Sequence, residues 1–491
     1  MIDSVLLIRP FSIGKKEFPL GLLYVGTALK NKGYNVKIID FQDDPFLENE
    51  IINTIKNSPN IIVGITGLAP HYKWIKQFTL KLKKISPKTK IIVGGHIAII
   101  YELLLLNSGV DYVCVGEGEE LFPELIEKIN KSQSPAEILG IAYKDSGNKI
   151  IKTGFRPFLK SFIIPDYKLI DIEKYLIHPS KDLFFKNSPL YRAQEKEDDK
   201  LGVIMFSRGC VGGCNFCYRH LPGFRQGSID WAWQHLMVLY EKYGIKYFRV
   251  DDELFTNDLE WFEALYKKIR DSKIQILFRI TGLRVDAINE SLLEKLKEIG
   301  CVAINYGIES GSQVILNKMN KRTTVEQNKW AIKKTLDCGM QVMAYTMIGY
   351  EGETRRTLKE TADFFLETEL PSKYISAFYT VPLPGTRLYF DCFKRGIILN
   401  EEQYLESLAS YIEEKKSIHK YYLLNISDTK MSELRKWEIS LPWLVRLKKK
   451  FSRFPVVFRV INEIFWFFPA NQFLQNLAIN FYRFLKRIKN I

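Results

Sequence analysis

The stretch Ser207-Arg208-Gly209-Cys210-Val211-Gly212-Gly213-Cys214-Asn215-Phe216-Cys217 places three of the chain's seven cysteines within eight residues. Thiolates spaced C-x3-C-x2-C on a loop can converge on one iron–sulfur cubane, and glycines at 209, 212 and 213 free the backbone to fold around it. Three thiolates leave one iron of a [4Fe-4S] cluster without a protein ligand, open to a chelating small molecule. A structural zinc site would need a fourth ligand, for which His220 is the candidate. Three packing cysteines are the blandest reading, but buried structural cysteines do not usually gather in a glycine-rich loop. Cys114, Cys301, Cys338 and Cys392 stand singly in apolar surroundings and read as core.

Around this loop the chain reads as α/β. Downstream of Gly202, apolar runs at Val203 to Ser207, Tyr247 to Val250, Ile276 to Thr281, Val302 to Ile308, Val342 to Met347 and Tyr374 to Thr380 predict a partial parallel barrel of six βα units over 201–395. Upstream, Ser4 to Ile8, Val36 to Asp40, Ile61 to Thr66, Ile91 to Gly94 and Tyr112 to Val115 predict a doubly wound, Rossmann-like domain over 1–140. Such folds bind ligands at the carboxyl ends of their strands, and small residues there (Gly67, Gly94, Gly95, Gly116, Gly118) let backbone approach a large ligand. Between the two lies 141–200, read as a hairpin (Ile138 to Tyr143 and Lys149 to Thr153) and a linker ending in a charged run.

The whole has 491 residues, 46% apolar, 26% charged and 13% aromatic, which excludes a disordered or fibrous chain. Too few cysteines for a disulfide framework, a start without a signal-peptide pattern and no long apolar window suggest a reduced, cytoplasmic protein without a spanning helix. The net charge of +15 is uneven: the last 58 residues carry +10 of it.

The C-x3-C-x2-C loop with Phe216 before its last cysteine resembles the signature of radical S-adenosylmethionine (SAM) enzymes. That resemblance implies a [4Fe-4S] cluster on Cys210, Cys214 and Cys217, with SAM chelated at the open iron and reductively cleaved to a 5′-deoxyadenosyl radical. It further implies SAM contacts from Phe216, from Asp252 and Glu253 after the second strand, and from Glu309 and Ser310 after the fourth. Ile348-Gly349-Tyr350-Glu351-Gly352-Glu353-Thr354 resembles the family's later glycine loop, with Tyr350-Glu351 where Leu-Pro is more frequent. An external one-electron donor, a reductase with flavodoxin or a ferredoxin, is implied as partner.

Phe18-Pro-Leu-Gly, Val93-Gly-Gly-His96 and Gly116-Glu-Gly-Glu119 resemble the cobalamin-binding domain that precedes the radical domain in one large subclass, which implies cobalamin contacts at Gly67, Leu68, Gly94, Gly95, Gly116, Glu117 and Gly118. The string Asp-x-His-x-x-Gly, whose histidine ligates cobalt in many cobalamin domains, does not occur. The subclass often lacks it, so the resemblance implies cobalamin bound without a protein histidine, or a domain that has kept the fold and lost the cofactor. The subclass modifies unactivated carbon by methyl transfer or by carbon–carbon bond formation and cyclisation, on lipid-like and natural-product substrates.

Residues 396–491 read as a helical, basic and amphipathic region. Its cations interleave with Trp443, Phe451 and Phe465 to Phe468, and Phe473 to Ile488 recur at helical spacing. This pattern suits an anionic membrane surface, with a peripheral location, or a lid packed on the barrel. It disfavours nucleic acid, and the RNA methylthiotransferase branch carries further cysteines in its first domain, where this chain has Cys114 alone. RNA modification, or a non-catalytic cobalamin-binding sensor or carrier that leaves the cysteine loop idle, are the alternatives.

Overall fold

Runs such as Val5-Leu6-Leu7-Ile8 and Ile61-Ile62-Val63, apolar on both faces, form strands that need cover on both sides, which parallel sheets flanked by helices provide. The computed structural model describes residues 2–11, 18–41, 47–58, 60–219, 223–410 and 424–450, together with 455, 456, 459 and 462. In the first sheet β1 (Ser4–Arg9), β2 (Asn35–Asp40), β3 (Ile61–Thr66), β4 (Lys90–Gly94) and β5 (Tyr112–Cys114) run parallel in the order β2-β1-β3-β4-β5. The order reverses between β1 and β3, which opens a crevice at their carboxyl ends. The hairpin β6 (Ile141–Lys144) and β7 (Ile150–Lys152) adds antiparallel to β5 and forms the edge of this sheet.

The second sheet contains β8 (Leu201–Ile204) at one edge, and the chain then leaves it for a separate antiparallel ribbon of β9 (Ser207–Cys210) and β10 (Gly223–Gln226). It returns through β11 (Tyr247–Val250), β12 (Leu277–Ile280), β13 (Cys301–Glu309), β14 (Gln341–Ile348) and β15 (Ile375–Tyr379), all parallel in the order β15-β14-β13-β12-β11-β8. A doubly wound domain followed by a partial six-stranded barrel is the fold class expected above. One expectation is corrected: the run Val203 to Ser207 is not one strand. It breaks at Met205-Phe206 because Asp252, just past β11, accepts hydrogen bonds from the backbone N–H groups of Phe206 and Ser207, the former at 2.9 Å, and so turns the chain out of the sheet.

The two domains share their packing. Phe18, Leu23 and Tyr24 of the first pack with Tyr167, Tyr175 and the barrel core. In turn, Tyr404, Leu405 and Leu408, from beyond the barrel, pack with Tyr72 and Phe78 of the first domain. Lys76 pairs with Glu402 and Glu406 across that contact, each at 2.8 Å.

The helix Met431–Lys450 buries Leu434, Trp437, Leu441 and Leu444 against the barrel, and the Trp437 indole N–H donates to the Leu358 carbonyl at 2.7 Å. The lid arrangement therefore accounts for this part of the basic region. The expected helix Phe473 to Ile488 lies outside the described residues. No helix among the described residues is long and apolar enough to cross a membrane. Trp437→Ala removes a fully buried side chain and is expected to cost about 3–5 kcal/mol, read as a lowered denaturant midpoint with an unchanged slope.

Candidate active site

The carboxyl ends of the first sheet face the cysteine ribbon across a cavity of about 270 Å³. Its walls combine Gly64, Thr66, Gly94, Gly95, Gly116 and Gly118 of the first domain with Met205, Arg208, Gly209, Arg225 and Glu253 of the second. Two of the glycines are required by geometry. Gly95 has φ +79°, and a Cβ there would lie 2.6 Å from the Thr66 hydroxyl; Gly116 has φ +138° and faces open space. A cradle kept free of side chains at successive strand ends lets backbone approach a large flat ligand such as a corrinoid.

Of the residues expected at cobalamin, Gly94, Gly95, Gly116, Glu117 and Gly118 line this cavity. Gly67 does not, since Ile75 and Ile97 enclose it, and Leu68 is exposed outside these walls. His71 is a buried structural histidine: its Nδ1 accepts the Leu68 N–H at 2.9 Å, and burial pushes its pKa down to about 4. His96 is exposed on the cavity wall, its ring 4.6 Å from that of Tyr218.

Glu117 does not extend into open space. One carboxylate oxygen accepts from Arg208 Nη1 at 2.8 Å and Arg225 Nη2 at 2.9 Å, and the other from the Leu159 N–H at 2.9 Å. Glu119 holds the second Arg208 nitrogen at 2.7 Å. The Arg208 guanidinium lies between the rings of Tyr24 and Phe162, at 4.6 and 4.7 Å. Arg208 is in β9 and Arg225 in β10, so this knot ties the ribbon carrying Cys210 to the glycine loop of the first domain. Neither arginine was expected from the sequence; the one local signal was a cation two residues ahead of the first cysteine.

The cysteine loop itself is held from several sides. The Asn215 N–H donates to the Met319 carbonyl at 2.9 Å, the Asn320 amide to the Gly213 carbonyl at 2.7 Å, and the Leu388 N–H to the Asn215 carbonyl at 2.9 Å. A Cβ on Gly212 would lie 3.3 Å from Cys210 Sγ and 3.0 Å from the end of the Arg284 side chain, a close fit. Burial raises the Cys214 thiol pKa, and the charges of Lys321 and Arg284 oppose the rise. Three free cysteines backed by two cations fit an iron–sulfur cluster made anionic by its thiolates. Among the described residues no three histidine, cysteine or acidic side chains gather tightly enough for a single metal ion. A cubane, which takes one thiolate per iron, asks for no such gathering. His220 lies outside the described residues.

The residues expected at SAM separate. Glu253 is on the cavity wall, where partial loss of water around its carboxyl raises the pKa against the lowering charges of Arg219 and Arg225. Asp252 points the other way, buried, with Oδ1 bound to the Ser207 hydroxyl at 2.6 Å as well as to the two backbone N–H groups. Burial pushes its pKa up to about 7. Glu309 sits at a register shift of β13 in the left-handed region, φ +62°, paired with Lys321 at 2.9 Å. Ser310 is fully buried, bonded to Thr361 at 3.0 Å, and Phe216 packs edge-on against Tyr350.

A doubly wound domain whose strand ends face a C-x3-C-x2-C loop across a glycine-lined cavity defines an iron–sulfur enzyme built to hold a second, large cofactor. The B12 binding domain family matches residues 11–126, and the Radical SAM superfamily matches residues 204–365. The chain belongs to the radical SAM enzymes with an amino-terminal B12-binding domain, a family of methyltransferases and cyclases whose cofactors are a [4Fe-4S] cluster, SAM and cobalamin. It is 28% identical to an uncharacterized methyltransferase of Pyrococcus horikoshii, over 79% of this chain and 81% of that one. It is 25% identical to the anaerobic magnesium-protoporphyrin IX monomethyl ester cyclase of Rubrivivax gelatinosus, over 79% and 68%. In fold it matches the radical SAM methyltransferase TsrM of Kitasatospora setae, solved with cobalamin and a [4Fe-4S] cluster, with a TM-score of 0.67 at 16% identity over 81% of this chain and 79% of that one.

Two outcomes follow from the geometry. A Cβ at Gly94 meets only ordinary contacts, 3.7 Å to Cys114, so Gly94→Val leaves the fold intact while filling the cradle; bound corrinoid, read by absorbance after reconstitution, falls at least tenfold with the iron content unchanged. For Asp252, the folded pKa of about 7 lies above the ordinary 3.8, so the native state binds the extra proton and stability falls as pH rises from about 4 to about 7. Asp252→Asn removes that fall, measured by urea unfolding across the same range.

Proposed function

We propose that this chain binds SAM and a [4Fe-4S] cluster at Cys210, Cys214 and Cys217, and cobalamin in the glycine cradle, to modify an unactivated carbon of a small, largely apolar substrate. The observation that carries this reading is the single cavity whose walls include Gly94, Gly95 and Gly116 on one side and Gly209 and Glu253 on the other. When bound, these groups supply a 5′-deoxyadenosyl radical and a methyl carrier, and the protein's part is to bind, orient and exclude water.

Glu253, a carboxylate on the cavity wall, is suited to hold the SAM ammonium. Glu309 is suited to accept from ribose hydroxyls, with Lys321 fixing its direction. Asp252 and Ser310 act as positioning residues: one turns the chain into the cysteine ribbon, the other fastens the turn after Glu309 to the helix Arg355–Glu367. Glu117 serves cobalamin indirectly, by holding the ribbon over the cradle. The substrate reading rests on the half-exposed face of β14, Met343, Tyr345 and Met347, with Phe378 of β15 against Tyr345 at 5.7 Å. Such a wall suits a lipid-like or aromatic natural product. Methyl transfer is favoured because the cradle is built for a methyl-carrying cofactor, and cyclisation is the second outcome. The membrane-surface reading of the tail now rests on residues 451–491, since the helix Met431–Lys450 uses its apolar face on the barrel.

Purified without oxygen, Cys214→Ala lacks the brown cluster absorbance and forms no 5′-deoxyadenosine from SAM with dithionite; retained 5′-deoxyadenosine overturns the assignment. A mass gain of about 14 Da in a candidate substrate selects methyl transfer, and a loss of about 2 Da selects ring closure.

A further inference from the structure

The cysteine loop has a second side. Besides the cavity between the domains, and sharing no lining residue with it, the loop lines an open recess of about 560 Å³, walled by Val211, Gly212, Gly213, Arg219, Arg322 and Arg387, with Cys214 and Cys217 also in its lining. Three arginines contribute, and among the described residues no acidic one does. Val211 is 46% exposed, so the loop itself, at a pair of glycines, is the protein surface here.

Arg322 and Arg387 are exposed, and Arg219 is half-buried beside the loop. Arg219 donates to the Gly212 carbonyl, which fastens its charge to the loop. Arg322 is exposed and held in the left-handed region at φ +58°, a costly conformation for a residue with a side chain, and its Nε lies 3.4 Å from Asn320 Oδ1. The Arg387 side chain is 75% exposed, and its partner Asp391 stands 3.8 Å away, a surface pair of the kind that contributes little. By contrast, Arg208, Arg249, Arg279 and Arg284 each hold an acid at close range. Here the arginines share the lining of one recess with Cys214 and Cys217.

We propose that this recess is the docking surface for an acidic one-electron donor protein of the flavodoxin or ferredoxin class. The inference rests on the reading of Cys210, Cys214 and Cys217 as cluster ligands. Reductive cleavage needs one electron from outside, and the recess is lined by Cys214 and Cys217, whereas the cavity between the domains, among the described residues, reaches the ribbon only at Arg208, Gly209 and Arg225. A donor seated in this recess brings its redox centre to the two cysteines that line it. In the step, the donor's reduced centre loses one electron, the oxidised cluster gains it, and no bond forms or breaks. Redox partners meet through small, charge-steered interfaces whose association rates fall with salt.

The test uses the anaerobic holoenzyme, a flavodoxin of net negative charge as probe, and the paired substitution Arg322→Glu with Arg387→Glu. Stopped-flow absorbance follows cluster bleaching by reduced flavodoxin and, separately, by dithionite. The expected result is flavodoxin-driven reduction slowed at least tenfold at low salt, its salt dependence lost, and weaker binding of oxidised flavodoxin by calorimetry, with dithionite reduction unchanged. The milder pair Arg322→Gln with Arg387→Gln gives the same pattern at a smaller amplitude and carries the test if charge reversal costs the fold. Unchanged flavodoxin kinetics overturn the proposal, as does equal slowing with dithionite, which would make the arginines part of the cluster's own cradle. A wild-type protein with no cluster to reduce would instead overturn the ligand assignment beneath it.

Discussion

The cysteine ribbon is fastened to the first domain through one carboxylate. Glu117, at the end of a glycine loop of the first domain, accepts from Arg208 and Arg225 of the second and from the backbone at Leu159. The side chains are largely out of solvent, with Glu117 8% exposed and Arg208 19%. A charge held there without its partner would cost about 3–5 kcal/mol. Because the arginines are on the two strands of the ribbon that begins the cysteine loop, satisfying them fixes where that loop sits above the strand ends of the first sheet. The enclosing rings of Tyr24 and Phe162 keep Arg208 in place while leaving the cavity beside it open.

A second clamp acts from below. Asp252 gathers the backbone of Phe206 and Ser207 and the Ser207 hydroxyl onto one oxygen, which ends β8 early and starts the ribbon. Its neighbour Glu253 faces the cavity. Adjacent residues at a strand end point to opposite sides, so one acid builds the loop and the other meets what the loop holds. The same division recurs after β13, where Glu309 turns to Lys321 and Ser310 is buried against Thr361.

That division marks where the sequence was legible. The strands of both sheets are short runs of β-branched residues bounded by turn residues, and each appears close to its expected place. The cysteine spacing and the glycines at successive strand ends are local patterns too. The partners of Glu117 are not: they lie 91 and 108 residues away and come together through the packing of two domains. The β9–β10 ribbon is four residues a side, too short and too rich in glycine to show a period. The choice between Asp252 and Glu253 depends on a single step of the pleat. The basic tail was legible as amphipathic, but whether its apolar face meets lipid or protein is decided by the surface opposite, which for Trp437 is the helix Arg355–Glu367.

The central claim is that the cysteine loop and the glycine cradle serve one reaction space. Electron paramagnetic resonance of the protein loaded with both cofactors, poised so that cob(II)alamin and the reduced cluster are both paramagnetic, reads their proximity directly. One shared cavity predicts a spin–spin interaction that broadens or splits both signals relative to samples holding either cofactor alone. A spectrum equal to the sum of the two separate signals would contradict it.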